Sequence, residues 1–177
     1  MFPIFIVLFF AMIEFGFFFN AQLSLNFATR DASLIAAEAG SKDSNADCAI
    51  LRKVEEDISA PTDETRIVRV HIFQATSTGA STGLEQVYLR TRTSTCPDGG
   101  TVPYDLVAPQ LATFPYSTRC AQLVGCGTDQ SEPLDTIGVR IDYQYQYITP
   151  MFYLIGGSGS GQTMSGSNSM RMEPYTL

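Results

Sequence analysis

Apolar side chains fill nearly every position from Met1 to Phe19, and the run is interrupted by a single charge, Glu14, with no basic residue before Arg30. At a helical rise of about 1.5 Å per residue this stretch measures roughly 28 Å, close to the hydrocarbon thickness of a bilayer. A helix this oily is expected to cross a membrane or to bury itself among copies of itself. Beyond Phe19 the pattern becomes amphipathic. Leu23, Phe27, Leu34 and Ile35 recur at helical spacing, while Ala28, Ala32 and Ala36 repeat every four residues and would let another backbone approach closely. Gly40 is the expected stop, so the pattern predicts one helix over residues 1–40.

A polar loop from Ser41 to Asp47 leads to a short second helix, Cys48 to Ile58, with Ile50, Leu51, Val54 and Ile58 on one face and Asp47 as its N-terminal cap. After Pro61 the period changes from helical to two. From Arg66, the residues Val68, Val70 and Ile72 fall on one face of a strand and Ile67, Arg69, His71 and Phe73 on the other. A second strand over Gln86 to Arg92 completes a hairpin, and Cys96-Pro97-Asp98-Gly99-Gly100 is strong turn chemistry. Residues 101–134 carry four prolines and two cysteines without a clean period, and read as an irregular insertion. The clearest alternation follows: Ile137, Val139, Ile141, Tyr143, Tyr145 and Tyr147 share one face, with Arg140, Asp142, Gln144 and Gln146 on the wet one. An apolar excursion, Thr149 to Ile155, and a glycine-rich turn, Gly156 to Gly161, precede a last strand from about Thr163 to Glu173. The predicted fold class is therefore α+β: a long N-terminal helix as stalk over residues 1–40, and a β-rich head over 41–177 with a short second helix and a disulfide-bearing insertion at about 94–134.

Charge and cysteine content narrow the classes of function. With 18 acidic residues against 11 basic ones, and the basic ones scattered, nucleic acid is not an expected partner. Cys48, Cys96, Cys120 and Cys126 are even in number and lack a CxxC pair, which points to disulfides in an oxidising compartment and away from zinc. Cys120 with Cys126 and Cys48 with Cys96 is one of three possible connectivities. His71 is the sole histidine, and flanked by Arg69 and Phe73 it reads as a solvated or lateral surface position on its strand, not as a catalytic base. Asp142 and Glu173 read as two wet strand positions without the spacing of a catalytic pair. The glycines near residue 160 lack the Gly-Lys-Ser/Thr of a phosphate loop. Neither an enzyme nor a cofactor is expected.

Two segments resemble the TadE-like pseudopilins of tight-adherence (type IVc) pilus systems. In the first, Pro3 is followed by an apolar run into Ile13-Glu14-Phe15-Gly16 and then Ala28-Thr29-Arg30-Asp31-Ala32, similar to that family's "IEFG" and later "AAREGA" pattern. In the second, the strand Val139 to Tyr147, then Ile148-Thr149-Pro150, the glycine loop and Ser169 to Glu173 resemble the family's last hairpin. In that family a segment with a prepilin-peptidase site and a "VEF" glutamate precedes the proline, whereas this sequence begins two residues before Pro3; either residues upstream are omitted here, or processing occurs at an unusual point, or that register glutamate is dispensable. The resemblance implies a pilin-like subunit without catalytic activity, held in the cytoplasmic membrane before assembly into an extracellular filament. The partners it implies are copies of itself, a prepilin peptidase, an assembly ATPase and a membrane platform. The alternative is a membrane-anchored minor pseudopilin or accessory protein that does not form the bulk of the filament.

Within that reading, Phe9, Phe10, Phe15 and Phe18 with Ala28, Ala32 and Ala36 are the expected helix-core contacts between subunits, and Met151, Phe152, Tyr153 and Leu154 the expected lateral contact of the head. Glu14 has two readings. Either it meets a polar group or the N-terminal amine of a neighbouring subunit and sets the register, or it lies near enough to the interface by Asn20 to reach water.

Overall fold

The computed structural model of the chain describes residues 2–39, 43–58, 62–106, 113–122, 133–148 and 161–174. Its first element is the helix α1 (Phe2–Ala39), about 57 Å long at the standard rise. A shorter helix, α2 (Ala46–Ile58), follows. The strands are β1 (Ile67–Ala75), β2 (Ser81–Leu89), β3 (Ser94–Thr95), β4 (Thr101–Val102), β5 (Asp105–Leu106), β6 (Thr136–Tyr145) and β7 (Gln162–Arg171). Five of them form an antiparallel sheet in the order β5-β2-β1-β6-β7, and β3 pairs with β4 in a small hairpin. The fold is α+β, as the change of period from helical to two predicts.

The core lies between one face of the sheet and the two helices. Ile50, Leu51, Val54 and Ile58 of α2 meet Val70 and Ile72 of β1 and Ile137, Val139 and Ile141 of β6. From α1 the contributors are small: Ala21, Ala28, Ala32 and Ala36 are buried there together with Leu25. The close approach that Ala28, Ala32 and Ala36 allow is made within the chain itself, to their own head. The physical reason is spacing, because a helix wedged against α2, β6 and β7 at once must bring its backbone near all three. The approach is close at Gly166 of β7, where an added Cβ would lie 2.9 Å from the Leu25 side chain and 3.2 Å from its carbonyl oxygen.

Strand details differ from simple alternation. A β-bulge between Ile67 and Arg69 shifts the register of β1 against β6. The extra residue puts Ile67 and Val70 both in the core and leaves Val68 half-buried. The hairpin partner of β1 begins at Ser81, earlier than Gln86, and ends at Leu89. The turn between them bonds Thr76 N–H to the Ala80 carbonyl and holds Gly79 at a φ of 84°, a conformation open to glycine. Asp47 does not cap α2. Its neighbour Asp43 accepts the Asn45 N–H at 2.8 Å, while the Asp47 carboxylate turns inward, accepting from the Tyr88 hydroxyl at 2.7 Å and pairing with Arg119 at 2.6 Å.

Several links tie α2 to the sheet side. Cys48 is disulfide-bonded to Cys96; Cys120 is also disulfide-bonded, and Cys126 lies outside the described residues. Arg52 forms a forked pair with Asp98 at 2.6 and 2.8 Å, and Glu55 accepts from both Arg90 and the Tyr104 hydroxyl. The Arg52 hydrogen bonds, with the Gly100 N–H, hold the Asp98 carboxyl well below its ordinary value of 3.8. A depressed carboxylate stabilises the fold fully above its ordinary pKa and loses that contribution as pH falls toward the folded-state value. Arg52→Met should therefore flatten the fall of the thermal midpoint between about pH 4 and pH 2, measured by circular dichroism. Parallel curves for variant and parent would remove Arg52 as the cause.

Candidate functional site

At 100° per residue, Phe5, Met12, Phe19, Leu23 and Phe27 fall within about 60° of one line along α1, on the side away from the head. All are exposed: Met12 by 75%, Leu23 by 55% and Phe27 by 60%. Leu34 continues the line past Arg30 and is exposed as well. The lower part of this face belongs to the one helix among the described residues that is long and apolar enough to cross a membrane. Leu23, Phe27 and Leu34 lie on the stretch whose opposite side is packed into the head. Of the apolar side that the helical spacing predicts, Leu23, Phe27 and Leu34 face outward, whereas Ile35 packs against the core beside the alanines.

The expected helix-core residues separate accordingly. Phe9 is on the outer face, Phe15 is exposed at the side of the helix beside Glu14, and Phe10 is half-buried. Phe18 points to the head, its ring edge-on to Tyr145 with centroids 5.4 Å apart.

Glu14 is the least expected placement. It is only 2% exposed. The Tyr145 hydroxyl donates to Glu14 Oε1 at 2.7 Å, and the Ile148 N–H donates to its two oxygens at 3.1 and 3.2 Å. Neither reading of Glu14 anticipated this arrangement, in which the chain's own head meets the carboxylate. Burial and the neighbouring Glu14 push the Tyr145 phenol above its ordinary value of 10, which keeps it a donor. No sequence signal links residues 131 positions apart, although the tyrosine row on β6 marks an element with polar tips on an apolar face.

His71 corrects a second expectation. It is buried, not solvated, on the sheet face away from the helices. Its Nδ1 lies 2.9 Å from Glu85, and its Nε2 lies 3.3 Å from Asp142 and 2.9 Å from Arg140. Arg69 pairs with the same Asp142 at 3.1 Å. Asp142 faces Ser165 across β6 and β7, whereas Glu173 lies beyond the far end of β7, so the structure does not bring these two carboxylates together. The lateral-contact residues Met151, Phe152, Tyr153 and Leu154 lie outside the described residues.

The family model of the TadE-like proteins matches residues 1–34. The chain is similar to that family along most of α1; the C-terminal segment of the resemblance lies outside the match. No curated protein and no solved structure matches the chain. The matched segment and the long apolar helix fit a membrane protein associated with Tad pili.

Proposed function

We propose that the chain is a structural pilin-like subunit, held in the cytoplasmic membrane by α1 and assembled into an extracellular filament in which the outer face of α1 packs against copies of itself. One observation supports this above the others. Leu23, Phe27 and Leu34 remain exposed on the part of α1 that carries the head. Lipid readily solvates Phe5 or Met12, but a lone membrane anchor has no use for large apolar groups beyond the bilayer. An exposed row of large apolar groups, broken only by Arg30 between Phe27 and Leu34, marks an interaction surface, and a helix with copies on several sides hides it. The contact is heterologous, joining different faces of successive subunits, and such contacts propagate into open filaments.

In this reading residues 1–40 act as stalk and 41–177 as head, although α1 also supplies one wall of the head's core. The prepilin peptidase, assembly ATPase and membrane platform are the partners the family resemblance suggests. The role is assembly, with no catalytic step. The test is cryo-electron microscopy of filaments sheared from cells, with the Phe27→Glu variant beside the parent. A charge at the centre of a dry contact costs at least a factor of about ten in assembly, so the variant should vanish from the sheared fraction while its membrane level holds. Absence of the parent chain from sheared filaments would end the filament reading and leave a membrane-held accessory role.

A further inference from the structure

We infer that the end of the head nearest the N-terminus of α1 sits in the phospholipid headgroup layer, with Glu14 at the border between hydrocarbon and headgroups. The inference rests on the reading that α1 holds the chain in a membrane. It changes the expected depth of the helix, because the apolar run to Phe19 taken alone would place Glu14 inside the hydrocarbon.

The argument starts from what surrounds Glu14. From this level onward, one side of α1 is covered by the ends of β6 and β7, where Gln162, Tyr145 and Tyr147 gather. Two small cavities flank the helix here. One, about 120 Å³, is lined by Phe17, Asn20, Asp63, Arg66 and Ile148; the other, about 140 Å³, by Glu14, Phe15, Phe18, Tyr147 and Gln162. Ion-paired Arg66 and Asp63 and the amide of Gln162 are strongly disfavoured in hydrocarbon, where water cannot satisfy their polar groups. The hydrocarbon must therefore end at about Glu14 on this side.

The same end is not built for bulk water either. Phe15, Phe17, Phe19 and Ile148 are all exposed around it. Tyrosines, an arginine and an asparagine beside exposed phenylalanines form the mixture that the interfacial layer favours, with apolar bodies turned toward acyl chains and polar tips toward phosphate and water. The surface is continuous with the apolar helix that leaves it. Below Glu14, α1 supplies about 18 Å of helix, enough to pass the bilayer midplane. The bonds from Tyr145 and Ile148 then serve a definite purpose: they satisfy the carboxylate where the helix enters lipid and fasten the head at that height.

The chain contains no tryptophan, so single-tryptophan variants of the full chain report depth directly. Phe5→Trp, Phe17→Trp, Ile148→Trp and Leu34→Trp, each an exposed position, would be reconstituted in phosphatidylcholine vesicles brominated either near the headgroup or near the end of the acyl chain. Phe5→Trp should lose most emission to the deep bromines, Phe17→Trp and Ile148→Trp to the shallow ones, and Leu34→Trp to neither. Quenching of Phe5→Trp without quenching of Ile148→Trp would overturn the inference, since the head would then stand clear of lipid or face another copy. Deep quenching of Phe17→Trp would overturn it too, because the helix would then sink past Glu14. Loss of quenching at Phe5→Trp itself would instead defeat the membrane reading beneath it.

Discussion

Replacing Cys48 and Cys96 together with alanine should lower the stability of the head by about 4 kcal/mol, in the loop-entropy account of a cross-link closing a 48-residue separation. The bridge acts mainly on the unfolded chain. It ties the first turn of α2 to the β3–β4 hairpin, and without it a long segment containing β1 and β2 gains freedom when the protein unfolds. The native contacts around it survive, because Arg52 still holds Asp98 and Glu55 still accepts from Arg90 and Tyr104. The double variant should therefore show native-like circular dichroism with a much lower denaturant midpoint, measured in parallel unfolding curves of the full chain in detergent. A change under about 1 kcal/mol would mean that the unfolded chain is already restrained, and the loop argument would fail.

The second large effect separates the two faces of α1. Ala32 is wholly buried between the head and its helix, so Ala32→Leu inserts a branched side chain where α2 and the sheet already touch the backbone, at a cost of about 1 to 3 kcal/mol or more. Phe27, one and a half turns away and exposed, is the control: Phe27→Ala should change the stability of the isolated chain by no more than about 0.5 kcal/mol. Urea unfolding in detergent, followed by tyrosine circular dichroism, measures both. A neutral Ala32→Leu would show that α1 can lift from the sheet at little cost, and a destabilised Phe27→Ala would place part of the outer face within the monomer's own core. Paired with the filament assay on Phe27→Glu, the comparison isolates assembly from folding.

Much of the architecture was legible in the chain because its periods are long and unambiguous. The apolar run of α1 is long enough to name the element, and the Ile50-Leu51-Val54-Ile58 face of α2 and the alternation from Ile137 to Tyr145 repeat often enough to name the buried side as well. The errors came where one residue broke the count. The bulge at Ile67–Arg69 brings Ile67 onto the core face with Val70 and Ile72 and displaces Val68, and no local signal announces it. His71 looked solvated because Arg69 lies two residues away on the same face, yet Glu85 from β2 and Asp142 and Arg140 from β6 close over it. Periodicity reports which residues share a face, not which neighbouring strand then covers that face.

The chain by itself determined that there is a long apolar helix, a short amphipathic one and an antiparallel β-rich head, because composition and spacing act over a few turns or a few strand residues. Only the tertiary structure decided which side of α1 is inside. Burial of large apolar groups favours turning Leu23, Phe27 and Leu34 inward, but the close approach of α2, β6 and β7 fills the inner face mostly with small residues, Ala28, Ala32 and Ala36 beside Leu25, so packing geometry prevails over hydrophobicity on that helix. The same holds for Glu14. Its charge was visible from the first residues, while its partners, Tyr145 and Ile148, are brought to it by the sheet that packs against α1.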